Sequence, residues 1–152
     1  MKTMLAATLP LIVCLPGLAA ADVTNKCRDD ILQGQYVFTA SGFTRPAASG
    51  PGTPWVPKAI VEVLHFNGDG TLSTPVVTIA NPFGDSGAIL QPPSGANGLY
   101  SINADCSGTI QFLDATNAAF KIQVDPPQGD TIWMIQTNPS NNVFQGNAKR
   151  IY

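Results

Sequence analysis

Charged side chains are scarce in this chain of 152 residues, at 12% of the sequence. Eight Lys and Arg stand against ten Asp and Glu, and the basic residues do not gather into a stripe. Proteins that bind nucleic acid or an anionic membrane surface concentrate positive charge on one face. The sequence therefore predicts neither of these partners.

Histidine is nearly absent, with His65 as the only one. A transition-metal site usually needs at least three protein ligands, and a serine protease needs a histidine base with an aspartate to orient it. Residues 84–87 read Gly-Asp-Ser-Gly, like the serine segment of chymotrypsin-like proteases, but the chain is too short for that two-barrel fold. We expect no metal, no cofactor and no protease activity.

No apolar run is long enough for a comfortable bilayer span. At the N-terminus Lys2 precedes a short apolar stretch over residues 4–15, and small residues follow at 17–21. This order is typical of a secretory signal with an A-x-A-like cleavage site. We expect residues 1–21 to be a signal peptide, residues 22–152 to form a single domain, and the protein to be secreted or periplasmic without a membrane anchor.

Cysteine is also rare, and Cys14 lies in the predicted signal, which leaves Cys27 and Cys106. A redox or metal-binding thiol pair needs a Cys-x-x-Cys spacing or a nearby His, and neither is present. In an oxidising compartment the two remaining cysteines most simply pair with each other. The sequence therefore predicts a structural disulfide between Cys27 and Cys106.

Helical periodicity is hard to find, because Pro and Gly recur every few residues. Short runs with period-2 alternation recur instead and predict eight strands, at residues 35–40, 58–66, 71–79, 98–102, 109–113, 118–124, 131–137 and 143–151. Asn67-Gly68-Asp69-Gly70 predicts a tight hairpin turn, and Pro75 marks an edge or a bulge. Short turns join the later strands, so we expect an all-β, eight-stranded antiparallel up-and-down barrel, with a β-sandwich as the alternative.

In size, export signal, strand number and strand order the chain resembles the calycin-like small barrels, the lipocalin, allene oxide cyclase and dirigent group. The Gly-x-Trp of lipocalins is absent, since the corresponding place reads Gly34-Gln35-Tyr36. The resemblance implies a barrel whose interior is either filled or able to hold one small ligand. It carries no functional residue over to this chain.

Glu62 is the only Glu and lies in the middle of a predicted strand, on a face shared with Ile60, Leu64 and Phe66. Inside an apolar barrel its pKa would be raised, and the carboxyl group could act as a general acid or base. The opposite parity of the same strand would leave Glu62 in solvent. Glu62 is the one candidate catalytic residue of the sequence.

Aromatic residues at alternating strand positions are the candidates for lining a ligand pocket, although most aromatics of this kind fill a core. The candidates are Tyr36, Phe38, Tyr100, Phe120 and Trp133. Our first hypothesis is a secreted barrel that binds an apolar or aromatic small molecule, with isomerase or cyclase activity as its enzymatic form. The alternative is a non-enzymatic structural or interaction module that uses the long loops 45–57 and 81–95, where Trp55 and Phe83 lie.

Overall fold

The computed structural model of the protein describes residues 27–46, 50, 52–80, 88–90, 97–114 and 116–151. The predicted signal peptide, Phe83 and the Gly-Asp-Ser-Gly segment at 84–87 lie outside the described residues. Within the described part of the chain, no helix has the length and apolar character that a membrane crossing requires.

The described chain consists almost entirely of β-strands. One short 3-10 helix, η1 (Asp29–Ile31), precedes them. The strands are β1 (Gln33–Thr44), β2 (Val56–Asn67), β3 (Thr71–Ala80), β4 (Ala88–Leu90), β5 (Gly98–Ile102), β6 (Ser107–Phe112), β7 (Ala119–Val124), β8 (Thr131–Asn138) and β9 (Asn142–Ile151).

Eight of these strands close into one antiparallel barrel. Each pairs with its neighbour in sequence from β1 to β3 and from β5 to β9, β3 pairs with β5, and β9 returns to β1. The predicted up-and-down barrel is therefore confirmed, and the sandwich alternative is not the fold. Closure leaves the backbone groups of each wall strand paired on both sides, which removes the exposed edges of an open sheet.

Strand β4 was not predicted, since residues 81–95 were expected to form a loop. Strand β5 pairs only with Thr71 and Leu72 at the start of β3. Strand β4 pairs further along the same strand, with Val77–Ile79. Strand β3 is ten residues long and β5 only five, so β5 cannot cover the whole edge of β3. A three-residue strand between Gly- and Pro-rich segments is too short for alternation to reveal it.

The hairpin between β2 and β3 forms where the sequence predicted it. Gly68 and Gly70 have φ angles of 81° and 89°, which glycine adopts without steric cost. The predicted irregularity at Pro75 is a β-bulge, because Leu64 alone faces both Thr74 and Pro75 between the flanking pairs. The bulge exchanges the two faces of β3, so that Thr74 before it is buried while Val76 after it is 40% exposed.

Two clusters of aromatic rings fill much of the interior. Phe66 packs edge-on between Tyr36 and Tyr100, with ring centroids 5.1 and 5.0 Å apart. Phe120 packs in the same manner between Phe38 and Phe112, at 5.8 and 6.0 Å. Edge-to-face pairs of this kind stabilise a core beyond the area that they bury.

Helix η1 covers the barrel end at which β1 begins, and the predicted disulfide fastens the chain there. Cys27 and Cys106 are bonded, with their Cα atoms 5.0 Å apart and a sequence separation of 79. Leu32 is fully buried beneath η1. The Asp29 carboxylate accepts a hydrogen bond from the backbone N–H of Ile102 at 2.6 Å. We call this the η1 end of the barrel.

Arg150 ties three segments together at the η1 end. Its guanidinium donates hydrogen bonds to the carbonyl oxygens of Ile31 and Gln128, each at 2.9 Å, and to the hydroxyl of Tyr36 at 2.7 Å. These bonds join η1, the turn between β7 and β8, and β1.

Replacing Arg150 removes these bonds while the acceptors remain. We expect Arg150→Met to lower the free energy of unfolding by about 2 kcal/mol, because hydrogen bonds to charged groups are among the stronger ones. Urea denaturation of the purified protein measures this loss. Lys149→Met, one residue earlier and exposed, is the matched control and should change stability by less than about 0.5 kcal/mol. Equal losses in the two variants would contradict the tying role of Arg150.

Candidate functional site

The structure places Glu62 inside the barrel. The side chain is 8% exposed, and Leu64 and Phe66 on the same face of β2 are fully buried. Val61, on the other face, is 51% exposed. In register, Phe38 of β1 lies on one side of Glu62 and Val77 of β3 on the other. The carboxyl group is therefore surrounded mainly by apolar neighbours.

This environment raises the pKa of Glu62 to about 8. The larger cause is desolvation, because burial penalises the charged carboxylate. The smaller cause is the negative charge of Asp114, just beyond the end of β6. One oxygen of Asp114 accepts hydrogen bonds from the backbone N–H and the hydroxyl of Thr116, which fixes that carboxylate in place. The carboxyl group of Glu62 is therefore mainly protonated at pH 7.

Glu62 makes no hydrogen bond to any residue in the described part of the chain. The buried Thr74 is not its partner, because Thr74 and the partly buried Asn97 satisfy each other. The backbone N–H of Thr74 donates to the side-chain oxygen of Asn97 at 2.9 Å, and the Asn97 amide donates back to the Thr74 hydroxyl. A neutral carboxyl group, with one donor and acceptor capacity, is left for another partner.

Gln136 adds an unsatisfied acceptor to the same region. It lies opposite Phe120 in the β7–β8 register, and Phe120 packs against Phe38, the neighbour of Glu62. The amide nitrogen of Gln136 donates to the Asn138 carbonyl at 2.7 Å, but its side-chain oxygen is buried without a partner. We call Glu62, Phe38, Phe120 and Gln136 the Glu62 site.

Two of the five predicted ligand-binding residues, Phe38 and Phe120, belong to this site. The two tyrosines do not, because their hydroxyl groups are engaged at the η1 end. Tyr36 donates to the Gly129 carbonyl at 2.8 Å, and Tyr100 lies 2.9 and 3.1 Å from the carbonyl oxygens of Asp29 and Leu32. Burial raises the pKa of both hydroxyl groups. Neither hydroxyl is placed to assist Glu62.

The fifth candidate, Trp133, points outward from β8 and is 51% exposed. The parity of β8 decides this, since Ile132 and Met134 fill the interior. The loop aromatic Trp55 is 40% exposed and lies under the guanidinium of Arg45, 4.7 Å from ring centroid to carbon. The role of the loops 45–57 and 81–95 stays a prediction.

Sequence reasoning missed Gln136, which belongs to the Glu62 site, and Asp114, whose charge acts on Glu62. Gln136 had a readable signal, because it shares the parity of Ile132 and Met134 on β8, and a polar side chain on a buried face calls for an explanation. Asp114 had none, since a turn aspartate acts on Glu62 only through the folded arrangement of the strands. No group of three His, Cys, Asp or Glu side chains that could hold a metal forms among the described residues.

The closed eight-stranded barrel has the shape of the calycin-like small barrels that the sequence resembles. Comparison with protein-family models gives no match, and comparison with curated proteins gives none either.

Proposed function

We propose that the protein binds a small apolar or aromatic molecule at the Glu62 site, with the carboxyl group of Glu62 donating a hydrogen bond to an acceptor on the ligand, such as a carbonyl oxygen. The observation that carries this proposal is the carboxyl group of a buried side chain that has no hydrogen-bond partner among the described residues, and whose oxygens, unlike that of Gln136, keep some contact with solvent. Buried polar groups are nearly always hydrogen-bonded, so an unpartnered one requires an explanation.

The chemistry of the site supports a polar but uncharged ligand group. A carboxyl group with a pKa of about 8 is a donor at neutral pH. The unsatisfied oxygen of Gln136 accepts rather than donates, so the ligand would carry a donor toward it. Phe38 and Phe120 supply apolar contact between these two polar groups. The rings of Phe38 and Phe120 pack against each other inside the barrel, with centroids 5.8 Å apart, so a ligand would reach Glu62 by parting these two rings.

The enzymatic form of the proposal assigns Glu62 a proton-transfer role. A carboxyl group with a pKa near the working pH exchanges a proton with a bound substrate effectively. Donation to a carbonyl oxygen, or removal of a proton from an acidic carbon once ionised, are steps of isomerase and cyclase reactions. Strongly perturbed carboxyl groups in apolar sites are common at functional centres.

We also propose that the protein acts outside the cytoplasm. The Cys27–Cys106 disulfide is compatible with an oxidising compartment, and the N-terminal sequence has the pattern of a secretory signal.

A pair of probes that differ only in a carbonyl group tests the binding proposal. We expect the protein to bind 2-acetylnaphthalene roughly fivefold more tightly than 2-ethylnaphthalene at pH 6, the effect of one hydrogen bond of about 1 kcal/mol. The preference should fade as the pH rises through about 8, where Glu62 ionises. Isothermal titration calorimetry measures both affinities.

Two variants at one position make this test specific. Glu62→Gln keeps a donor that does not titrate, so the preference for the acetyl probe should persist at pH 9. Glu62→Leu removes the donor, so the preference should vanish at every pH. Failure of the wild-type protein to bind either probe, or equal binding of both at pH 6, would overturn the proposal.

A further inference from the structure

A trough crosses the outer wall of the barrel from β7 over β8, β9 and β1 to β2 and the end of β3, and none of the residues of the Glu62 site lines it. Two grooves, of about 730 and 660 Å³, lie side by side there. They share Ser41, Ile135 and Gln145, and therefore form one depression, which we call the outer trough. Trp133 lines one end of it, and Phe43 and Val143 line the other.

Trp133 forms an aromatic platform with an amide on each side. In register it lies between Gln123 of β7 and Asn147 of β9. Side chains directly opposite each other on one face of an antiparallel sheet have Cβ atoms about 5 Å apart. The two amides therefore flank the indole ring, which is half exposed to solvent.

The floor of the trough is made of small side chains. Ser41 of β1 lies beside Ala59 of β2, which lies beside Ala80 of β3, and these three short side chains leave a depression in the outer wall. The Gln145 amide makes no hydrogen bond within the described part of the chain. Asn147 accepts a hydrogen bond from Thr39 at 3.3 Å, which leaves its amide nitrogen free to donate.

Charge is nearly absent from this surface. Among the described residues that line the trough, none is a carboxylate, and the cations are Lys58 and Lys121. The ammonium group of Lys58 lies over the ring of the buried Phe144, 5.0 Å from its centroid, so Lys121 is the cation exposed at the trough. A cationic ligand would find no matching charge here, and a strongly anionic one would find only Lys121.

We propose that the outer trough binds an uncharged oligosaccharide, with the ring of Trp133 stacking on one sugar and the amides of Gln123, Gln145 and Asn147 bonding to hydroxyl groups. An amide both donates and accepts hydrogen bonds, as a hydroxyl group does. An indole ring offers a broad apolar face with a polar edge. Sugars present the matching combination, an apolar C–H face bordered by hydroxyl groups.

The closed wall disfavours an extended peptide as the occupant. A peptide that joins a sheet bonds its backbone to a free strand edge. Strands β8, β9 and β1 are each paired on both sides, so the trough offers side chains only. A second copy of this chain could also cover the trough. The experiment below distinguishes self-association from sugar binding.

Retention on insoluble polysaccharides tests the proposal. The mature protein is mixed with cellulose, chitin or a β-1,3-glucan, and the unbound fraction is measured after centrifugation. We expect retention on at least one of the three. Trp133→Ala and Gln145→Ala should each weaken it, Trp133→Ala by about tenfold, because the aromatic ring on which a sugar stacks carries a large share of the binding free energy.

Trp55→Ala is the matched control, because Trp55 is the other Trp of the chain, is similarly exposed and lies outside the trough. It should bind like the wild type, and thermal unfolding should show all variants folded. Absence of retention on all three polysaccharides, or retention that Trp133→Ala leaves unchanged, would overturn the proposal. A dimer in sedimentation velocity that Trp133→Ala dissociates would also overturn it, since the trough would then be a self-interface. The retention and sedimentation results do not depend on the Glu62 site. Binding at the Glu62 site is measured separately with the naphthalene probes.

Discussion

Glu62→Gln is expected to abolish a loss of stability that the wild-type protein suffers as the pH rises from about 4.5 to about 8. The pKa of Glu62 is raised from 4.5 to about 8 in the folded protein. Between these values the folded state holds a proton that the unfolded state has lost, so the free energy of unfolding falls with pH. Below pH 4.5 Glu62 is protonated in both states, so it does not change the free energy of unfolding. Above pH 8 it is ionised in both states, and the folded protein bears the full free-energy cost of the buried charge. That cost has an upper value of about 5 kcal/mol.

The variant carries a neutral amide at every pH and so lacks this decline. Its stability should match that of the wild type near pH 4.5 and exceed it by several kcal/mol near pH 9. Urea denaturation of both proteins across this pH range measures the difference between their free energies of unfolding. Other titrating groups contribute equally to both proteins and cancel in this difference. Parallel stability curves would show that Glu62 ionises normally.

Asp114→Asn provides a second test of the same account. It removes the negative charge that contributes to the raised pKa of Glu62 and keeps a side-chain oxygen to accept the bonds from Thr116. The stability decline of this variant should therefore end at a lower pH than that of the wild type. An unchanged midpoint would mean that burial alone raises the pKa of Glu62.

Loss of the disulfide is expected to lower the free energy of unfolding by about 4 kcal/mol. The bond closes a loop of 79 residues, and a cross-link over so long a loop strongly restricts the unfolded chain. The double variant Cys27→Ala, Cys106→Ala should unfold at a clearly lower urea concentration than the oxidised wild type. Both cysteines are buried, so a small further loss arises from their packing.

Reduction provides the control for this prediction. Dithiothreitol should destabilise the wild-type protein to nearly the level of the double variant and leave the double variant unchanged. A wild-type unfolding midpoint that reduction does not move would contradict the stabilising role of the bond.

The fold was predictable because the alternation and the turn residues of this chain agree. The Asn67–Gly70 turn and Pro75 fixed one hairpin and its bulge, and the eight predicted runs correspond to the eight barrel strands. Strand β4 was not predictable, since its pairing depends on the part of β3 that β5 leaves uncovered. Arg150 was equally hidden, because its partners lie on three separate segments of the chain.

The sequence identified most residues of the candidate site but did not decide which face of each strand points into the barrel. On β2, both parities carry apolar residues, and the larger side chains Leu64 and Phe66 decided the interior in favour of Glu62. On β8, both parities also contain large apolar residues, and here Trp133 faces out while Met134 faces in. Side-chain size alone would place Trp133 inside, so its position depends on how neighbouring strands fill the barrel.

The titration of Glu62 itself tests the central claim most directly. Because Glu62 is the only Glu of the chain, carbon-13 labelling of glutamate gives one side-chain carboxyl resonance in an NMR spectrum. We predict that its chemical shift changes with a midpoint near pH 8, the pKa that burial and Asp114 produce together. A midpoint near 4.5, the ordinary value for Glu, would show that the carboxyl group is solvated and would contradict both the buried site and the ligand-binding function proposed for it.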